Sequence, residues 1–265
     1  MRTIREAGAR GRGGAVGLAT VAVLLVACGD SGDLPATQTN KAGSTSGDAA
    51  AQAPGVDASG DALLSSTHNA NPDGVPYPAP VGGYGHSARK GKTPGSIIEN
   101  FKFFGYPDAD ESQGLQTIAL ADYYDPCSKR LKLLHISVAA VWCVPCNEET
   151  VALVAAKAQI DAEKVVLIQA LSDGPTKNVP ATTADLKYWI TENQSNFTEM
   201  LDPNLANLGV FFDAAAVPWN ADIDPRTMEI LDDGTGYAGS ATLELQAGVT
   251  SSGQPPDYPI AIQCN

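Results

Sequence analysis

Val138-Ala-Ala-Val-Trp142-Cys143-Val144-Pro145-Cys146-Asn-Glu-Glu149 is the stretch whose reading decides the fold. An apolar run ends in a Cys-x-x-Cys, with an aromatic residue just before the pair. Upstream, Leu131 to Val141 is nearly continuous in apolar residues, interrupted by Lys132, His135 and Ser137, as a central strand covered on both faces reads. Downstream, Val151, Val154, Ala155 and Ala158 recur at i, i+3, i+4, i+7 and predict a helix with one buried stripe. The two cysteines therefore fall on the first turn of a helix, on one side of it. Unsatisfied N–H groups and the helix dipole at that end favour a thiolate on Cys143. Its pKa is expected to fall from about 8.5 toward roughly 7. Pro145 suits a first turn, where its missing N–H has no partner to lose. Two thiols so placed can exchange between dithiol and disulfide, with Cys143 attacking and the more shielded Cys146 resolving.

Outward from this stretch, strands and helices alternate. Val165 to Leu171 is a second nearly all-apolar strand. Thr182-Thr-Ala-Asp185 has capping-box spacing ahead of a helix whose face is Leu186, Trp189 and Ile190. This order implies βαβ units on a parallel sheet. Trp219–Ile223 and Met228–Leu231, separated by Asp-Pro-Arg-Thr, predict an antiparallel hairpin. Ile97–Phe104 and Leu115–Leu120 are further strand candidates, and residues 200–212 are ambiguous. His135 reads as a hydrogen-bonded core residue, since no second His lies near it to complete a metal site.

The chain has 265 residues, 43% apolar composition, 6% aromatics and a formal charge of −13. That size supports one core of ordinary domain dimensions, and the acidity disfavours nucleic acid and anionic lipid head groups as electrostatic partners. Arg2, Arg5, Arg10 and Arg12 precede the apolar stretch Ala15–Ala27, the layout of an export signal over residues 1–27. Leu25-Val26-Ala27-Cys28 resembles a bacterial lipobox, which implies cleavage before Cys28 and lipid attachment to its sulfur; an ordinary signal with a chance Cys is the other reading. Residues 28–95 read as a flexible linker with an irregular Tyr/Pro/Gly lead-in from Tyr77, because large apolar side chains are too few to offset the entropy of ordering. His68 is there a solvated linker residue. The folded domain is expected over 96–247, with 248–265 as a tail. Five cysteines are present, and once Cys28, Cys143 and Cys146 are set aside, Cys127 and Cys264 remain as a candidate structural bridge in an oxidising compartment.

Trp142-Cys-x-Pro-Cys146 after a central strand, with Glu149 three residues on, resembles the thioredoxin-like TlpA/ResA group of exported thiol–disulfide oxidoreductases over roughly residues 97–247. The resemblance implies an α/β thioredoxin-like fold, a central mixed sheet flanked by helices. It implies that Ala216-Val217-Pro218 is the loop whose proline is cis, with Trp142, Val217 and Pro218 meeting the substrate and Glu149 as the active-site acid. A first-turn Glu that merely complements the helix dipole is the alternative for Glu149. It implies protein thiol or disulfide substrates, a membrane thiol reductase as electron donor, no cofactor, and a lipid-anchored site facing the periplasm. Gly29, in place of an inner-membrane-retaining Asp, leans toward the outer membrane. Thioredoxin carries a buried Asp six residues before its first cysteine; this chain has Ser137, so proton handling would fall to Glu149 or water. The uncharged Val144-Pro145 pair lacks the His of strong oxidants of the DsbA kind, which leans toward a reductant. A peroxiredoxin would need Pro and Thr where Ile136 and Ala140 stand, a Sco-type copper chaperone needs Cys-x-x-x-Cys, and a zinc site lacks paired spacings, so no metal is expected. The competing reading is a non-catalytic envelope binding module whose Cys143–Cys146 bridge is structural.

Overall fold

The structure, a computed structural model, describes residues 68–79, 94–212, 216–254 and 262–264. The export signal, Cys28, most of the tether, and the lead-in over 80–93 lie outside the described residues. Seven strands form one sheet: β1 (Lys102–Tyr106), β2 (Gln116–Ala119), β3 (Leu133–Ala140), β4 (Val165–Asp173), β5 (Thr198–Leu201), β6 (Trp219–Asp224) and β7 (Glu229–Thr235). Their order is β2-β1-β5-β4-β3-β6-β7. The β3–β4 and β4–β5 pairs are parallel, and all others are antiparallel. Four helices follow: α1 (Val144–Ala162), α2 (Thr183–Asn193), α3 (Ala241–Glu244) and α4 (Gln246–Ser252). The β3-α1-β4 crossover and the antiparallel β6–β7 hairpin on one sheet make this a thioredoxin-like fold.

β3 is buried along its whole length because it has strand neighbours on both sides and side chains packed on both faces. Leu134, Ile136 and Val138 meet Ile168, Met200, Trp219, Ala221 and Ile223 on one face. That face is covered by irregular segments, including Val75, Tyr77, Tyr123, Leu205 and Phe211. On the other face Leu133 packs with Leu153 and Ile160 of α1 and with Ala241 and Leu245. Ala139 and Leu171 pack there with Leu186, Trp189 and Ile190 of α2. α1 to α4 thus stand, among the described residues, on one face of the sheet. Among the described residues, no helix is long and apolar enough to cross a membrane.

Four expectations change. The buried stripe of α1 is Cys146, Glu149, Thr150, Leu153 and Ile160, whereas Val151 is 54% exposed. Hydropathy put the stripe about one residue out of phase, because the real one includes two polar side chains whose partners lie on the sheet. The first strand begins at Lys102, and Ile97 makes only an isolated bridge to Glu229. The domain does not stop at residue 247, for α4 continues to Ser252, and a Cβ on Gly248 would overlap the Asp222 carboxylate. Nor are residues 68–79 loose. His68 hydrogen-bonds Asp122 at 3.1 Å, Asn71 donates to the Tyr124 carbonyl, and Tyr77 donates to that of Ile98. Composition predicted a linker there because the anchors are hydrogen bonds and single rings, not an apolar run. The ambiguous 200–212 segment supplies β5 and two short 3-10 turns, Pro203–Leu205 and Leu208–Val210.

Candidate active site

β3 ends at Ala140 and α1 begins at Val144, so the chain turns through Trp142 and Cys143 at the end of an interior strand, between β4 and β6. Cys143 is the N-cap of α1, with extended backbone (φ −87°, ψ 110°), and its Sγ accepts a hydrogen bond from the Cys146 N–H at 3.2 Å. A sulfur thus occupies the place where Ser, Thr or Asp usually satisfies a helix N-terminus. Pro145 lies in the first turn as anticipated. Cys143 and Cys146 are bridged, with Cα atoms 5.3 Å apart. Around them, Trp142 donates its indole N–H to Asp173 at 3.0 Å, Lys177 lies 5.0 Å from its ring centroid, and Asn147 donates to the Cys143 carbonyl.

The loop into β6 closes the other side. The Val217–Pro218 peptide is cis, and the Val217 carbonyl oxygen is 3.5 Å from Cys143 Sγ. Trp219, the next residue, stacks on Phe211 and Phe212 at 5.2 and 5.4 Å. The structure therefore brings Trp142, Cys143, Cys146, Val217 and Pro218 together. In the bridged form Cys143 is only 2% exposed, while Val144 beside it is 68% exposed.

Glu149 is the sixth residue of α1, past the first turn in which the dipole acts, so the dipole alternative does not describe it. It faces the sheet, 0% exposed, and accepts a hydrogen bond from Asn220 Nδ2 at 2.6 Å. Burial pushes its pKa up; the nearby His135 charge and the Asn220 bond pull down, Glu244 pushes further up, and the carboxyl comes to about 8. Ser137, where thioredoxin has Asp, accepts from Gln169 Nε2, and Gln169 Oε1 takes the Trp189 indole N–H and lies 3.0 Å from Thr150 Oγ1. His135 pairs with Asp222 at 2.8 Å, a buried hydrogen-bonded residue as its sequence context suggests. Asn220, Asp222 and Gln169 were missed in sequence. The signal for Asn220 and Asp222 was the alternation Trp-Asn-Ala-Asp-Ile over 219–223, which ordinarily marks a solvent-facing side, but all six residues of β6 are buried. That for Gln169 was a lone polar residue inside the apolar run of β4.

Cys127 and Cys264 form a second disulfide, with Cα atoms 5.4 Å apart. Among the described residues no group of three or more His, Cys, Asp or Glu is arranged to hold a metal.

The fold and site define a thioredoxin-like domain with a Cys-x-x-Cys pair at a helix N-cap, against a cis-proline loop. No family model and no curated protein matches the chain. Solved structures do. A Chlorobium tepidum protein assigned as a thiol:disulfide interchange protein DsbE is 17% identical, with 61% of this chain and 96% of that one covered and a TM-score of 0.45. A secreted thiol-disulfide isomerase from Corynebacterium glutamicum is 13% identical (60% and 86% covered, TM-score 0.45). StoA from Bacillus subtilis is 16% identical (57% and 98% covered, TM-score 0.40). At these values the likeness assigns no activity, and the functional reading rests on the site's own geometry.

Proposed function

We propose that the chain is an extracytoplasmic thiol–disulfide oxidoreductase that reduces protein disulfides through Cys143 and Cys146. The observation that carries this is the placement of Cys143 Sγ, at once N-cap of α1 and 3.5 Å from the Val217 carbonyl of the cis-proline loop. A helix N-terminus stabilises the thiolate that attacks and later leaves, and the loop offers backbone beside the sulfur on which an extended substrate can dock. The Cys143 thiolate attacks one sulfur of a substrate disulfide, forming a mixed disulfide and releasing the other substrate sulfur as a thiolate. Cys146 then attacks Cys143, closes the intramolecular bridge and frees the second substrate thiol, so two electrons pass to the substrate. A dithiol donor, here a membrane thiol reductase, returns the pair to its reduced state. Export is supported by the 1–27 signal pattern and by a second disulfide remote from the site, which persists in an oxidising compartment. Lipid attachment at Cys28 would tether the domain to the envelope, with the outer membrane favoured.

After reduction, iodoacetamide should label Cys143 much faster than Cys146 near neutral pH, the reduced protein should cleave insulin disulfides, and Cys146→Ser should accumulate mixed disulfides with substrates. Equal, slow labelling of both thiols with no insulin reduction would show the bridge to be structural and the chain a binding module.

A further inference from the structure

The sheet face beneath α1 carries more polar groups than a dithiol and one acid require. At the β4 end they are mutually satisfied, Gln169 meeting Trp189, Thr150 and Ser137. At the β6 end they are not. Glu149 Oε2 on α1, His135 Nε2 on β3 and Asn220 Oδ1 on β6 are buried and have no protein hydrogen-bond partner. Leaving a buried polar atom unsatisfied forfeits its solvation without return, and here three such atoms occur on neighbouring elements. His135 and Asn220 line a cavity of about 310 Å³ whose walls also include Asp222, Tyr237 and Glu244. Glu149, which is not itself part of that wall, meets it through the hydrogen bond it accepts from Asn220. A polar space of that size holds several water molecules. Trp142, Val144 and Val217, which surround the cysteines, do not line it.

We propose that His135 is a positioning residue for the dithiol: held by Asp222 through Nδ1, it sets the protonation of Glu149, and the cavity between β7 and α3 is that carboxyl's route to solvent. This rests on the oxidoreductase reading, in which Glu149 is the active-site acid, and adds the residue that tunes that acid and its access to solvent. Glu149 lies three residues after Cys146 on the same face of α1. When a donor thiolate attacks Cys143 Sγ, the Cys143–Cys146 bond breaks. Cys146 leaves with the electron pair and takes the Glu149 proton, and the carboxylate is reprotonated from cavity water. In the other direction Cys146 returns its proton to the carboxylate as its sulfur attacks the mixed disulfide. Ser137 cannot do this, because its hydroxyl is engaged with Gln169 and does not ionise in this range.

The groups facing the pair have definite signs. Burial disfavours the His135 imidazolium, yet the Asp222 hydrogen bond and charge, with Glu149 and Glu244, outweigh it and hold the ring above the usual histidine value. His135 in turn favours the Glu149 carboxylate, and Glu244 opposes it. Tyr237, from the β7–α3 connection, is itself pushed up by burial and by Glu149 and Glu244, so it stays neutral. Asp232 and Asp233 of β7 complete the acidic wall.

The decisive measurement is a carbon-13 NMR titration of the Glu149 carboxyl in the oxidised full chain, which needs no turnover. The wild-type midpoint is expected near 8. His135→Gln, which keeps a donor for Asp222 but removes the charge, should raise it by roughly one pH unit, and Glu244→Gln should lower it. The pH midpoint for reduction of the bridge by dithiothreitol should move in the same order. Unmoved Glu149 midpoints in both variants, or a bridge-reduction profile indifferent to them, overturn the proposal. If His135→Gln does not fold, Glu244→Gln decides alone. Its carboxyl accepts the Ala238 N–H at the surface, a bond that Gln keeps, and a Glu149 midpoint that stays or rises overturns the coupling. Absence of insulin reduction by the wild type would instead overturn the oxidoreductase reading, and the titration would still report the coupling.

Discussion

Glu149 has one hydrogen bond, no exposed surface and a pKa lifted from the ordinary 4.5 to about 8. In the unfolded chain it ionises in the usual carboxylate range. Between the two values the folded state holds a proton that the unfolded state has lost, so stability falls as pH rises through that window. Glu149→Gln keeps the oxygen that accepts from Asn220 and removes the titration. The variant should melt above the wild type at pH 8, with the difference shrinking toward pH 5, where both carry a neutral side chain. Calorimetry at the two pH values checks it, and a constant difference would mean that Glu149 ionises normally. The same substitution should slow bridge reduction, since Cys146 loses its proton donor. Greater stability with lower activity is the signature of a buried group kept for chemistry.

At the scale of elements, what the sequence reveals depends on whether burial follows hydropathy. β3 and β4 are legible because they are nearly all apolar and pack on both faces. β6 is legible as a strand although its polar Asn220, Asp222 and Asp224 are buried too, and the Thr182–Asp185 box places α2 correctly. The cysteine pair and Pro145 are legible because spacing and residue type define them, whereas Pro218 is legible only through the resemblance that Trp142-Cys-x-Pro-Cys146 carries. α1 is legible as a helix but not in phase: Val and Ala occur all round it, while Glu149 and Thr150 point inward to Asn220 and Gln169. Those partners are far away in sequence, and no local pattern announces them. The same holds for Asn71, whose side-chain oxygen accepts from the Asp73 and Val75 N–H groups and organises a turn in a stretch that composition assigns to a linker. The corrected phase of α1 is testable. Leu153→Ala should cost about 2–5 kcal/mol of stability, whereas Val151→Ala on the exposed side should change it by less than about 0.5 kcal/mol. Urea unfolding of the two variants distinguishes the observed stripe from the one hydropathy predicts, which would reverse the order.

At the scale of the whole molecule, two disulfides divide the labour. Cys143–Cys146 spans three residues, and Cys127–Cys264 spans 137, from the segment preceding β3 to the end of the chain. Closing so long a loop restricts the unfolded chain far more than a four-residue ring does, and removing such a bridge typically costs about 2–5 kcal/mol. Cys127 lies near Asp125, whose carboxylate accepts from the N–H groups of Lys129, Arg130 and Leu131 and so shapes the entry to β3. The long bridge therefore pins the segment around Cys264 to the turn that feeds β3. It leaves the thiol surface untouched, because none of its neighbours belongs to the Trp142–Val217 site. The double variant Cys127→Ser/Cys264→Ser should melt lower by on the order of 10 °C, yet at a temperature where it is folded its reduced form should cleave insulin at the wild-type rate. Cys143→Ser/Cys146→Ser should show the reverse, little change in melting and no cleavage. If losing the long bridge stopped cleavage in folded protein, Cys264 would belong to the electron path, and the separation of structural from reactive disulfide would fail.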